Sequence, residues 1–354
     1  MAAMLASVRS ALAPRVSQQD VAALAVELHP ELPPDRIRSV FANTGIDHRH
    51  LVRPVEWYGS EHGLAERAEL ACDQGLELGA RAARAALDGA GVSPESVDSL
   101  VFVTTTAVRS PALDASLAPA LGLRDRVRRL PLFGSASLGG CSGLALAADL
   151  VAAGDRCVLV VVAELNSLMF VPRTEPPSMQ AVVSMALFSD GAAAAVVRAG
   201  SPGGVEGGGL ELVGRSSTLV PDSLGVMGFD MAATGLRWRL APDVPALAEA
   251  RVAESVERAL ADRGWRLADL EHLLVHPGGT KVLDAVEDAL GLPAGRLGWS
   301  RRILAEHGNL SAVTVLVMLE AVLQAGPAPG PGLLTAMGPG FGFEHVLFEA
   351  GPRW

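Results

Sequence analysis

Apolar residues recur along the chain in two alternating rhythms. Leu76, Ala80, Ala83 and Leu87 fall at helical spacing, and a polar link then leads to the strand-like run SLVFVTTT at 99–106. The order returns later, where Val252, Val256, Ala259 and Leu260 mark a helix followed by RLADLEHLLVHPGG at 266–279. CVLVVVAEL at 157–165 is apolar almost throughout, as a strand buried on both faces would be. LPLFGSASLGGCSGLALAADL at 130–150 reads as a strand, a tight turn and a helix. Laid over one another without a gap, ALDGAGVSPESVDSLVFV from Ala86 and ALADRGWRLADLEHLLVH from Ala259 keep Val97 in step with Leu270 and Leu100 with Leu273. The offset of 173 residues is half the chain, too long for a solenoid unit. It predicts two similar α/β halves packed face to face. The glycine-rich 198–214 would be the link between them or an exposed hairpin, and AGPAPGPG at 325–332 a loop before the final strands.

Composition narrows the function. The 354 residues are 49% hydrophobic, with 38 Gly and 23 Pro, which suits a globular protein rich in tight turns. A net charge of −10 argues against a sequence-independent grip on nucleic acid. The cluster RDRVRRL at 124–130 is a local anion site or a solvated helix end or loop. Cys72, Cys141 and Cys157 are an odd number without metal-ligand spacing, which suggests reduced thiols in a cytoplasmic protein. MAAMLASVRSALAPR lacks the apolar run of a signal peptide, and the most apolar stretches are too short to span a bilayer.

Three places combine a reactive side chain with an element end and a glycine. They are the turn holding Ser137 and Cys141, His276 at the end of an apolar strand before a Pro-Gly-Gly, and Asn309 after Gly308 at the start of a long apolar helix. Singly, each has an ordinary structural reading, such as a hydrogen-bonded strand-end histidine or a helix cap. Together, a nucleophile, an imidazole and an uncharged amide form the constellation that acyl transfer requires. The imidazole takes a proton or donates to a carbonyl oxygen, and the amide completes an oxyanion site.

The motifs themselves resemble those of the type III polyketide synthases, chalcone-synthase-like condensing enzymes of the thiolase fold. HPGGTKVLDAVEDALGL and EHGNLSAVTVLVMLE are similar to their histidine and asparagine motifs, and ALFSDGAAAAVV, AMGPGFGFEHVLFE and DRIRSVFANTGIDHRHL to further signatures. The resemblance implies a five-layered αβαβα fold of two halves, expected here as 1–215 with the nucleophile position and 216–354 with His276 and Asn309. It also implies a homodimer, no tightly bound cofactor, and acyl-CoA and malonyl-CoA as substrates. The implied cycle is loading of a starter acyl group, decarboxylation of malonyl-CoA to an enolate held by His276 and Asn309, condensation, and cyclisation to a pyrone or phenolic ring.

In this family the nucleophile is a cysteine, followed by a glycine pair and a helix. Counting back twelve from Asp149 places Ser137 at that position, which leaves Cys141 inside the helix as a packing residue. The chain would then be a Cys-to-Ser form with reduced activity, either an introduced change or a natural variant. Phe188 and Trp238 match the family's paired aromatic gates, and Met169 would narrow the pocket with them. Arg36, Arg38 and Lys281 stand where basic residues would meet the phosphates of coenzyme A. Two alternatives remain open. One is a stand-alone ketosynthase that joins carrier-protein-bound chains, and the other a non-catalytic acyl-CoA-binding protein of the same fold.

Overall fold

The structure is a computed structural model that describes residues 1–169, 178–201, 209–232 and 235–351. The first half opens with β1 (Ala2–Leu12), β2 (Arg15–Ser17), α1 (Gln18–Leu28), α2 (Pro34–Ala42) and β3 (His48–His50). It continues through α3 (Leu64–Gly89), β4 (Ser99–Thr104), α4 (Asp114–Leu121), β5 (Arg128–Phe133), α5 (Gly139–Ala152) and β6 (Cys157–Leu165). A short α6 (Asn166–Met169), α7 (Met179–Leu187) and β7 (Asp190–Gly200) complete it. The second half runs β8 (Leu210–Leu219), β9 (Met227–Ala232), β10 (Gly235–Leu240), α8 (Val244–Ala261), β11 (His272–Val275) and α9 (Thr280–Leu290). It ends with α10 (Gly298–His307), α11 (Thr314–Gln324), β12 (Gly330–Gly338) and β13 (Gly342–Ala350).

The duplication is visible in the pairing. Within the sheet order β11-β12-β13-β8-β1-β7-β6-β4-β5, the halves meet where β1 pairs with β8. Moving outward from that seam, β1–β7–β6–β4 and β8–β13–β12–β11 both step antiparallel, antiparallel, parallel. The glycine-rich stretch between β7 and β8 falls partly outside the described residues. Those two strands are not a hairpin pair, because each pairs with β1, one on either side.

Period-two alternation assigns each strand face to a different layer. Val101, Val103, Val158, Val160 and Val162 face a central core shared with α5 and α11. Leu100, Phe102, Leu159 and Val161 face the opposite way, against α3 and α4. In the second half Leu334 and Val346 enter the central core, while Leu333 and Leu347 turn outward to α8 and α9. The order is helices, sheet, α5 with α11, sheet, helices, which is the αβαβα arrangement expected. Four successive alanines, Ala192–Ala195 in β7, are fully buried and let helices approach both faces closely. A separate cluster of α1, α2 and α7 caps one end.

Three arginines of the cluster at 124–130 are in ion pairs, Arg124 with Asp98, Arg128 with Asp155 and Arg129 with Asp114 at the start of α4, so these guanidinium groups tie β5 and the loop before it to neighbouring segments. All three cysteines are buried free thiols. Among the described residues no helix is long and apolar enough to cross a membrane.

The central layer tests this packing. A Cβ at Gly140 would collide with the Val315 side chain and the Ala312 carbonyl oxygen. Gly140→Ala is therefore expected to cost about 3 kcal/mol or more. At Gly298, in α10, a Cβ meets nothing within 4 Å. Gly298→Ala is expected to raise stability by ~0.5–1 kcal/mol, and thermal unfolding of the two variants checks both.

Candidate active site

Two related turns build the centre of the site. In the first half β5 ends at Phe133, and a 3₁₀ turn over Ala136–Leu138 leads into α5. Ala136 takes φ +41°, an uncommon and costly backbone state for a residue with a Cβ. Its N–H donates to Thr105 Oγ1 at 2.9 Å. In the second half α10 ends at His307 with Gly308 as its C-cap, and a 3₁₀ turn over Ser311–Val313 leads into α11. Ser311 repeats the feature with φ +55°, and its N–H donates to Asn309 Oδ1 at 2.8 Å. The turns pack against one another because Gly139 and Gly140 carry no side chain, a Cβ on Gly139 falling 3.2 Å from that of Ala312.

Contrary to the expectation from sequence, Asn309 does not open the helix, because a 3₁₀ turn intervenes and α11 begins only at Thr314. It is instead pinned by its backbone. Its N–H donates to the Leu187 carbonyl at 2.9 Å, and its own carbonyl accepts from the Ser189 N–H at 2.9 Å. With Oδ1 held by Ser311, the amide nitrogen is left with one long contact, 3.4 Å to the Gly278 carbonyl. Its protons are thus available to an oxygen in the cavity.

His276 follows β11, whose parallel register with β12 is continued by the His276 N–H donating to the Thr335 carbonyl at 2.8 Å. The side chain is 1% exposed, and neither ring nitrogen has a hydrogen-bond partner among the described residues. Burial pushes its pKa down from 6.5 to about 4, so the imidazole is neutral near pH 7. A neutral imidazole can donate one hydrogen bond and accept another.

Ser137, His276, Asn309, Phe188 and Trp238 all line one cavity of about 640 Å³, together with Ala136. The rings of Phe188 and Trp238 stack with centroids 4.7 Å apart and planes 18° apart. Trp238 sits in β10 opposite Phe229 of β9, whose ring meets it edge-on at 5.9 Å. Phe188 is held from behind by Arg49, which donates to the Phe188 carbonyl at 2.9 Å and also to the Met185 carbonyl. Arg36, from α2, and Lys281, in the first turn of α9, reach the same cavity. Arg38 lies elsewhere, exposed and paired with Asp35 at 3.1 Å. Met169 is buried at the end of α6 and does not line the cavity. Cys141 is fully buried in the central core, and burial pushes its thiol well above the usual range, so it is a packing residue.

Two groups near the turn went unmarked in the sequence reading. Glu164 is fully buried, accepting from the Thr105 N–H at 3.1 Å and Thr106 Oγ1 at 3.0 Å, and burial raises its pKa to about 7. Through Thr105 it braces the backbone of Ala136. Its signal was a lone acid in the apolar run CVLVVVAEL. Ala136 itself carries no polar signal, because only its backbone angle sets it apart.

Comparisons with known proteins agree with this geometry. Residues 54–201 match the model of the chalcone and stilbene synthase N-terminal domain, and 211–352 that of the C-terminal domain. A 1,3,6,8-tetrahydroxynaphthalene synthase of Streptomyces peucetius subsp. caesius is 38% identical over 99% of this chain and 93% of its own. A bisdemethoxycurcumin synthase of Oryza sativa subsp. japonica is 32% identical over 89% of this chain and 83% of its own. The crystal structure of the Streptomyces coelicolor A3(2) tetrahydroxynaphthalene synthase, a bacterial type III polyketide synthase, superposes with a TM-score of 0.92 at 26% identity, covering 99% of this chain and all of that one. The chain belongs to the type III polyketide synthases, the chalcone and stilbene synthase family of thiolase-fold acyltransferases.

The electrostatics of His276 can be measured directly. Its depressed pKa means that protonation is deferred, so the ring stays neutral as pH falls through 6.5 and gains its proton only toward about 4. In a histidine-labelled NMR titration, the imidazole signal absent from His276→Gln should not move between pH 8 and pH 5.5. A midpoint near 6.5 would contradict the buried, unpartnered environment.

Proposed function

We propose that the cavity binds malonyl and acyl thioesters of coenzyme A and joins them by decarboxylative condensation. The observation that carries this reading is the convergence of His276, with both ring nitrogens unpartnered, and the Asn309 amide on one cavity. Two neutral hydrogen-bond donors aimed at one spot suit an oxygen that gains negative charge during reaction. Arg36 and Lys281 supply positive charge for the coenzyme A phosphates. No tightly bound cofactor takes part in this scheme.

In the cycle, the malonyl carboxylate leaves as CO₂, and the enolate oxygen accepts from His276 and Asn309. The enolate carbon attacks a starter acyl group and lengthens it by two carbons. Ser137 is the hydroxyl that would carry the starter, as an oxygen ester, with His276 as the base. An alcohol has no thiolate-like anion near neutral pH, so this loading is slow and condensation weak. The stacked Phe188 and Trp238 narrow the cavity toward a small or slender starter. The Streptomyces peucetius relative is named for a hydroxylated aromatic product, which supports a phenolic ring or pyrone here. The half ending with β7 would contribute the turn at 137, the half from β8 onward the histidine and asparagine, with the boundary before β8 rather than at 215/216, and the working form would be a homodimer.

A malonyl-CoA consumption assay with and without an acyl-CoA starter tests this. The expected result is consumption that falls by about 10²–10³-fold in Asn309→Ala and at least as far in His276→Ala. Intact-mass analysis after acyl-CoA incubation should show at most a slowly formed ester on Ser137. Turnover of carrier-protein thioesters alone would favour a stand-alone ketosynthase instead, and variants as active as the parent would end the reading.

A further inference from the structure

The turn that opens α5 is bent at Ala136, a residue that cannot carry an acyl group. A nucleophile at a strand-to-helix turn is held on a sharp, strained backbone that projects its side chain into the cavity. Ala136 has that backbone, with φ +41°, and lines the cavity beside the groups that hold an enolate, yet it offers only a methyl group. The matching turn of the second half places its own strained residue, Ser311, at the same point before α11, so the geometry belongs to the architecture. Ser137 follows one residue later, outside the positive-φ region, and is 8% exposed. Its hydroxyl engages neither ring nitrogen of His276. Cys141 is sealed in the core. Among the described residues, acyl loading therefore meets no hydroxyl or thiol already paired with His276, whereas decarboxylation needs none.

We propose that the principal reaction of this chain is uncoupled decarboxylation of a malonyl thioester, and that position 136 is where a thiol would couple it to chain extension. The inference rests on the reading above that the cavity binds malonyl thioesters. The bond between the carboxylate and Cα breaks, CO₂ leaves, and the bonding pair passes into the thioester as an enolate. The His276 and Asn309 N–H groups hold the enolate oxygen. With no tethered acyl carbon to attack, Cα takes a proton from water, and the hydroxide left behind combines with CO₂ as bicarbonate. The products are the acetyl thioester and bicarbonate, and no oxidant or reductant is needed.

Malonyl-CoA supplied alone is the first arm of the test. The expected outcome is acetyl-CoA in one-to-one yield with the malonyl-CoA consumed, and no extended product. In the second arm, Ala136→Cys should gain an acyl adduct by intact mass after incubation with an acyl-CoA, and raise chain-extended product at least ~100-fold. Ser137→Cys should gain neither, with thermal unfolding verifying that both variants are folded. If Ala136→Cys does not fold, Ala136→Ser gives the same reading as an oxygen ester. Extended product from the unaltered chain at the rate of acetyl-CoA release would overturn the inference alone. So would an adduct and product gain in Ser137→Cys but not in Ala136→Cys. No malonyl-CoA turnover in the parent or in Ala136→Cys would overturn it together with the reading on which it rests.

Discussion

The contact on which the site depends is the approach of the turn before α5 to the turn before α11. Gly139 and Gly140 present bare backbone to Ala312 and Val315, and any side chain there would push the two halves apart. All of the lining residues drawn from these two turns are attached to this contact, while His276 approaches from the end of β11. Ala136 and Ser137 hang from one turn, Asn309 and Ser311 from the other, and the Asn309 backbone reaches across to Leu187 and Ser189. A single close packing thus holds Ala136, Ser137, Asn309 and the neighbouring Phe188 in one frame. Strain at Ala136 and Ser311, of order 1–3 kcal/mol each, persists because the surrounding core holds both turns in place.

Desolvation does the electrostatic tuning. Leaving a buried donor or acceptor unpaired costs ~1–3 kcal/mol, and folded proteins keep few such groups. Among the described residues His276 keeps two, both on a ring that lines the cavity. The same burial holds the ring neutral, so it lines the cavity without adding a charge to it. Glu164 and Asp190 show burial acting on carboxylates with the opposite sign, raising them to about 7 and about 6. Each is compensated by hydrogen bonds from neighbouring backbone and hydroxyl groups, Asp190 from the Val52 and Ser167 N–H groups and the Ser167 hydroxyl.

Much of this was legible before any coordinates. The run CVLVVVAEL became β6 over the same residues, because a nine-residue apolar stretch has only a two-sided burial to satisfy it. The 173-residue offset became two sheet halves with matching strand senses. His276, Asn309, Ser137, Phe188 and Trp238 line one cavity, drawn from both halves. Arg36 and Arg38 were treated alike, yet two residues along a helix point to opposite faces, and only Arg36 meets the cavity.

The sequence by itself determined several of the elements, their duplication, and which polar side chains were candidates for the site, because periodicity and chemistry are local properties of the chain. Only the tertiary structure decided which residue of the first turn takes the strained backbone, since that angle is set by packing and hydrogen bonding between segments distant in sequence and leaves no mark on an alanine. It also decided that Cys141 faces the core and that His276 is buried with neither ring nitrogen paired among the described residues. Those outcomes depend on which surfaces meet, and a chain read in one dimension does not contain that contact.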